Sequence, residues 1–185
     1  MTRKRQLLVR KITYVAMCVA WMSICSWLTV PFVVNFTLQL FAVFLIAAIS
    51  DWKLSLASIG SYLMLGLLGL PIFSGFQGGP SVFANVTGGF LIGFVAATAV
   101  IGGAVRIWGR KTIVLVASMA VGLMLCYAFG TAWYIWVFAY RGNSVSVWFA
   151  LSYCVFPFLL PDCLKIYLAV LLSNRLSTHL RRMEL

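Results

Sequence analysis

The sequence predicts an all-α membrane protein, a bundle of six transmembrane helices in one domain over residues 1–185. Three observations predict it. Hydrophobic residues make up 63% of the chain and charged residues only 9%, whereas a soluble domain carries about 25% charged residues. A chain this short has too much surface for that apolar content to be hidden in a water-soluble core. The apolar residues also fall into runs of bilayer-crossing length, about 20 residues each, and the charges collect at the ends of those runs.

The first run, near 11–29, follows a basic N-terminus. It is longer than a signal-peptide core and no small-residue cleavage site follows, so it is a retained helix. The second is predicted near 32–50, with Pro31 placed to start it. The third, near 53–70, stops at Pro71, and a polar, Gly-rich loop covers 71–86. The fourth, near 87–107, carries Gly89, Gly93 and Ala97 at four-residue spacing, which lets helix backbones approach closely in lipid. The fifth, near 112–140, is long enough to tilt or overhang. A stretch near 145–153 is too short to span. The sixth is predicted at 161–180, with Pro161 at its first position and Asp162 in its first turn, where the helix dipole favours a carboxylate.

Basic residues set the orientation. Arg3, Lys4, Arg5, Arg10 and Lys11 precede the first helix; Lys53 follows the second; Arg106, Arg110 and Lys111 follow the fourth; Arg175, Arg181 and Arg182 close the chain. The opposite side has no Lys or Arg from Thr29 to Phe36 or from Pro71 to Val86, and only Arg141 after the fifth helix. The positive-inside rule puts both termini in the cytoplasm and the 71–86 loop outside, with Asn35, Thr37 and Gln39 near the outer end of the second helix. The formal charge of +11 thus reports topology against a lipid membrane, and nucleic acid is excluded as a partner. The 5 cysteines are odd in number, without a C-x-x-C, and imply neither a disulfide framework nor a metal site; the single histidine is His179.

Two ionisable residues interrupt an apolar segment, Asp162 and Lys165. A charge at bilayer depth costs at least about 2.5 kcal/mol, so such residues face a cavity or each other and mark function. Their i, i+3 spacing puts both on one helix face. The pair suits a polar ligand site near the outer leaflet; a structural ion pair fixing helix packing is the alternative. A lipid-modifying membrane enzyme needs a nucleophile–base set, and here no Cys or Ser pairs with a base, so the protein is not expected to be an enzyme. A channel or purely structural bundle predicts no saturable ligand. No G-x-x-x-x-G-K-S/T loop is present, so ATP is not hydrolysed by that machinery in this chain.

Four segments carry a resemblance to a known family. Thr37-Leu38-Gln39-Leu40 resembles its T-L-Q segment. Gly66-Leu67-Leu68-Gly69-Leu70-Pro71-Ile72-Phe73 resembles G-L-x-G-L-P-V-F. Asn85-Val86-Thr87-Gly88-Gly89-Phe90-Leu91-Ile92-Gly93-Phe94 resembles G-P-T-G-G-Y-L-I-G-F, and Phe158-Leu159-Leu160-Pro161-Asp162-Cys163-Leu164-Lys165 resembles P-F-x-x-G-D-x-x-K. These stand in the expected order and resemble the BioY proteins, the biotin-binding S components of energy-coupling-factor transporters. The likeness is dense over 31–94 and 156–172 and thin between. Asn85-Val86 stands where the family has Gly-Pro, and Pro161 where it has Gly.

The resemblance implies an S-component bundle in a bacterial plasma membrane that captures biotin from outside. It implies a membrane coupling subunit of the EcfT type and cytoplasmic ABC ATPases as partners, biotin as transported ligand and no cofactor. It places substrate binding on Asp162, Lys165, Asn85, Thr87, Gly88, Gly89, Gln39 and Phe73, with Phe76 and Phe90 as further candidate walls. Asp162 would accept from the ureido N–H groups, Lys165 would meet the ureido carbonyl or the carboxylate, and the loop would add donors. Ala16 and Ala20 match the family's Ala-x-x-x-Ala docking patch for the coupling subunit. A related component for thiamin or riboflavin is the nearest rival.

Overall fold

The computed structural model describes residues 3–31 and 34–180, with side chains up to Leu176. The expected helix start at Phe32, the basic residues Arg181 and Arg182, and the side chain of His179 lie outside the described residues. The elements run α1 (Arg3–Trp27), β1 (Thr29–Val30), β2 (Phe36–Thr37), α2 (Gln39–Ile49), α3 (Trp52–Leu67), a 3-10 turn (Ser74–Phe76), α4 (Pro80–Ala84), α5 (Gly88–Trp108), α6 (Thr112–Tyr140), α7 (Val147–Cys154) and α8 (Phe156–Leu180). Helices α1, α2, α3, α5, α6 and α8 form the expected bundle. Four of them, taken as Arg3–Trp27, Gly88–Trp108, Thr112–Tyr140 and Phe156–Leu176, are long and apolar enough to cross a membrane.

The bundle is apolar in its core and on its surface alike, and its interior also holds polar and charged side chains. Leu68, Tyr140 and Leu160 are among its many exposed large side chains, while Gln39, Asp162 and Lys165 are buried. Water would penalise that distribution; a hydrocarbon solvent favours it, since polar groups there must find partners within the protein.

The second helix departs most from expectation. Rather than 32–50, α2 has 11 residues, which is about 16 Å, or half the roughly 30 Å of a bilayer core. Pro31 does not start it. Proline drives the residue before it into extended backbone, and Thr29 and Val30 pair antiparallel with Thr37 and Phe36 as a short hairpin above the helix. α2 packs on α1, α3, α5 and α8, and nearly all of its residues are buried, so it is the centre of the bundle.

α3 ends at Leu67 rather than at 70, because the chain turns at Gly69 (φ +101°). The Gly66 carbonyl then accepts from the Gly79 N–H at 2.7 Å, tying the end of α3 to the middle of the 71–86 loop. α5 and α6 fit the predicted spans closely. The Gly89, Gly93 and Ala97 stripe lies against α6: a Cβ on Gly89 would sit 2.3 Å from Trp133 Cβ, one on Gly93 2.8 Å from Cys126 Cα, and one on Gly122 3.1 Å from Ala97 Cβ. α8 begins at Phe156, not at 161, and Pro161 lies inside it. Pro161 is the sixth residue of the helix, past the N–H groups that lack partners at a helix start, so it costs α8 one intrahelical hydrogen bond.

Candidate functional site

The elements converge on a partly open cavity lined by residues of the hairpin, the 71–86 loop and four helices. The hairpin contributes Val34, Asn35 and Thr37; α2 contributes Gln39 and Leu40; the 71–86 loop contributes Phe73, Ser74 and Val82, and Thr87 stands at the start of α5. Phe90, Leu91 and Phe94 come from α5, Cys126 and Tyr127 from α6, and Phe158, Asp162 and Lys165 from α8.

Asp162 and Lys165 are 3% and 5% exposed. Lys165 Nζ lies 2.6 Å from Asp162 Oδ1 and donates to it. The Tyr127 hydroxyl donates to Asp162 Oδ2 at 2.7 Å. Since α8 starts at Phe156, Asp162 falls in its second turn; its charge is balanced by Lys165 and Tyr127, not by the helix N-terminus as the sequence suggested. The Lys165 ammonium also lies 4.2 Å from the centroid of the Phe36 ring, which stacks on Phe158 at 6.1 Å. Acid, base, phenol and aromatic face together satisfy a buried charge pair that neither partner alone would sustain.

Gln39 anchors the floor. Its Nε2 donates to the Tyr62 hydroxyl at 3.0 Å, and Tyr62 donates to the Ile72 carbonyl at 2.8 Å. This chain of bonds links α2, α3 and the 71–86 loop. At the mouth, Asn35 Nδ2 donates to Ser74 Oγ at 3.2 Å, and Trp27 stacks on Phe76 at 5.0 Å while its Nε1 donates to the Pro71 carbonyl at 3.0 Å.

Of the predicted ligand residues, Asp162, Lys165, Gln39, Thr87 and Phe73 reach the cavity, as does Phe90. The structure does not bring Asn85, Gly88 or Gly89 to its wall. Asn85 Oδ1 accepts from the Val86 N–H at 2.9 Å, its carbonyl accepts from Trp133 Nε1 at 3.1 Å, and the Gly88 N–H donates to that same carbonyl at 3.0 Å. A Cβ on Gly88 would meet the Phe83 carbonyl at 2.0 Å. These glycines therefore serve close packing against α4 and α6, and their Cα atoms are turned to protein rather than to the cavity. Phe76 is exposed against Trp27, not a cavity wall. Ala16 and Ala20 are exposed on α1. Sequence reasoning missed Tyr127 and Phe36. Tyr127 stands in the unbroken apolar run of α6, where its hydroxyl was the sole signal, and Phe36 was hidden by the mistaken helix assignment.

A helical bundle with a lipid-compatible surface, enclosing a cavity with a buried ion pair and aromatic walls, defines a multi-pass membrane protein that binds a small molecule. Comparison with known proteins agrees. The BioY family model matches residues 1–182, and the chain belongs to the BioY family. The biotin transporter BioY of Thermotoga maritima is 32% identical over 172 residues, covering 91% of this chain and 96% of that protein. The probable biotin transporter BioY of Pyrococcus horikoshii is 34% identical over 169 residues, again covering 91% and 96%. Among solved structures, the S-component for biotin from an ECF-type ABC transporter, a crystal structure at 2.1 Å, matches with a TM-score of 0.83 over 96% of this chain and 95% of that one; at 24% identity this is a likeness of fold.

Proposed function

We propose that this protein captures biotin in the cavity between α2, α5, α6 and α8, as the substrate-binding subunit of an uptake transporter energised by separate ATPases. The observation that carries this reading is the buried Asp162–Lys165 pair at the cavity wall, in a chain whose relatives are named biotin transporters.

The electrostatics favour one orientation of the ligand. Asp162 and Lys165 sum to zero charge, so they offer an acceptor and a donor side by side without a net field. That suits a neutral urea, whose N–H groups meet Asp162 and whose carbonyl meets Lys165. A carboxylate at the same place would lie against the Asp162 charge. The neutral groups Asn35, Thr37, Ser74 and Thr87 are left for the valerate end, and Phe73, Phe90 and Phe158 wall the apolar ring.

Basic residues concentrated at one end support a membrane orientation with cytoplasmic termini and the hairpin and outer loop outside. Exposed Ala16 and Ala20 offer a close-approach face on α1 for a membrane coupling subunit. No phosphate-binding loop is present in the sequence, so ATP hydrolysis is assigned to other chains.

Isothermal titration of the detergent-purified protein tests the reading. Saturable binding of biotin is expected, and conversion of the carboxylate to an amide costs less affinity than alkylation of a ureido nitrogen. Absence of a saturable signal for biotin in monodisperse protein refutes it.

A further inference from the structure

Tyr127 is the polar side chain that α6 sends to this cavity. Its hydroxyl has one proton, and that proton is given to Asp162 Oδ2 at 2.7 Å. The other carboxylate oxygen is held by Lys165 at 2.6 Å. A carboxyl group otherwise turns with little resistance about its last torsion. Here two donors, one from α6 and one from α8, fix its plane.

Two consequences follow for a ligand. Each Asp162 oxygen keeps a lone pair, now aimed in a set direction, and the Tyr127 oxygen, its proton spent, can only accept. We propose that Tyr127 is a positioning residue: by donating to Asp162 it holds the carboxylate as a fixed acceptor and makes this end of the cavity selective for ligands that present N–H donors. A ligand end with acceptors alone could use the remaining Lys165 N–H groups but would leave the Asp162 and Tyr127 lone pairs facing its own. This inference rests on the reading of the Asp162–Lys165 pair as a ligand contact, and it adds the residue that orients that pair.

The test is Tyr127→Phe, which deletes the hydroxyl and keeps the ring, titrated with biotin and with a biotin derivative methylated on a ureido nitrogen. Biotin is expected to bind about tenfold more weakly, the size of effect that follows from losing one hydrogen bond to a buried charged group. Discrimination against the methylated derivative shrinks by a similar factor. Equal weakening of both ligands indicates a merely structural hydroxyl and overturns the proposal, as does unchanged affinity. Asp162→Asn is the control for the underlying reading. If it binds biotin like the parent protein, the ligand assignment of the pair fails; if it loses affinity while Tyr127→Phe keeps both affinity and discrimination, only the role of Tyr127 fails. Should Tyr127→Phe not fold, 3-fluorotyrosine at position 127, which retains the hydroxyl, supplies the readout. A fluorine NMR shift on adding biotin that vanishes in Asp162→Asn supports the proposal, and no shift overturns it.

Discussion

Lys165 and Phe36 meet with the ammonium 4.2 Å from the ring centroid, joining the charged pair on α8 to the hairpin formed by β1 and β2. The ring's negative face gives the cation a second partner beside Asp162. Phe36→Leu keeps the apolar bulk and removes that face. A cation–π contact is worth about 1 kcal/mol when partly desolvated, so biotin affinity falls roughly fivefold, while Phe36→Tyr stays near the parent. Titration calorimetry on the two variants checks this, and equal losses in both would argue for a purely steric role.

Removing either charge exposes the cost of the other. Asp162→Asn and Lys165→Ala each weaken biotin binding at least about tenfold. In the absence of ligand, Lys165→Met strands a buried carboxylate and lowers the unfolding free energy by about 3–5 kcal/mol, whereas Asp162→Asn with Lys165→Met recovers much of it. Thermal denaturation in detergent distinguishes the single from the double variant; identical melting temperatures contradict the pairing.

The α5–α6 contact predicts opposite outcomes at two glycines. Gly93→Leu forces a side chain into space where even a Cβ would lie 2.8 Å from Cys126 Cα, so the variant loses its monodisperse peak in size-exclusion chromatography. Gly103 has nothing within 4 Å of a built Cβ, and Gly103→Ala is neutral or stabilises by up to about 1 kcal/mol through helix propensity. A melting curve for each gives the comparison.

Orientation is checked by thiol labelling. Cys163 is the exposed cysteine, and Cys18, Cys25, Cys126 and Cys154 are buried. In a Cys163→Ser background, an impermeant maleimide added to intact cells labels Ser81→Cys and Ser144→Cys, while Lys111→Cys reacts only after permeabilisation. The reverse pattern would invert the topology and close the proposed cavity to the outside.

Much of this protein was legible residue by residue. Composition and the length of the apolar runs determined a helical membrane bundle, because a bilayer admits few other spanning structures. The spans of α5 and α6, the small-residue stripe on α5 and the pairing of Asp162 with Lys165 all follow from one-dimensional patterns: period, spacing, and a charge where charge is costly. The start of α2 and the start of α8 did not, since Pro31 and Pro161 each permit more than one local conformation and packing selects between them. Nor did the partners of the pair. Tyr127 comes from α6 and Phe36 from the hairpin, far apart in sequence, and an apolar run reveals no preferred face. Patterns along the chain thus revealed the solvent, most of the helix bounds and a charged pair inside an apolar segment. Which side chains surround that pair emerged from packing alone, because a buried charge is satisfied by whatever the fold brings within hydrogen-bonding distance.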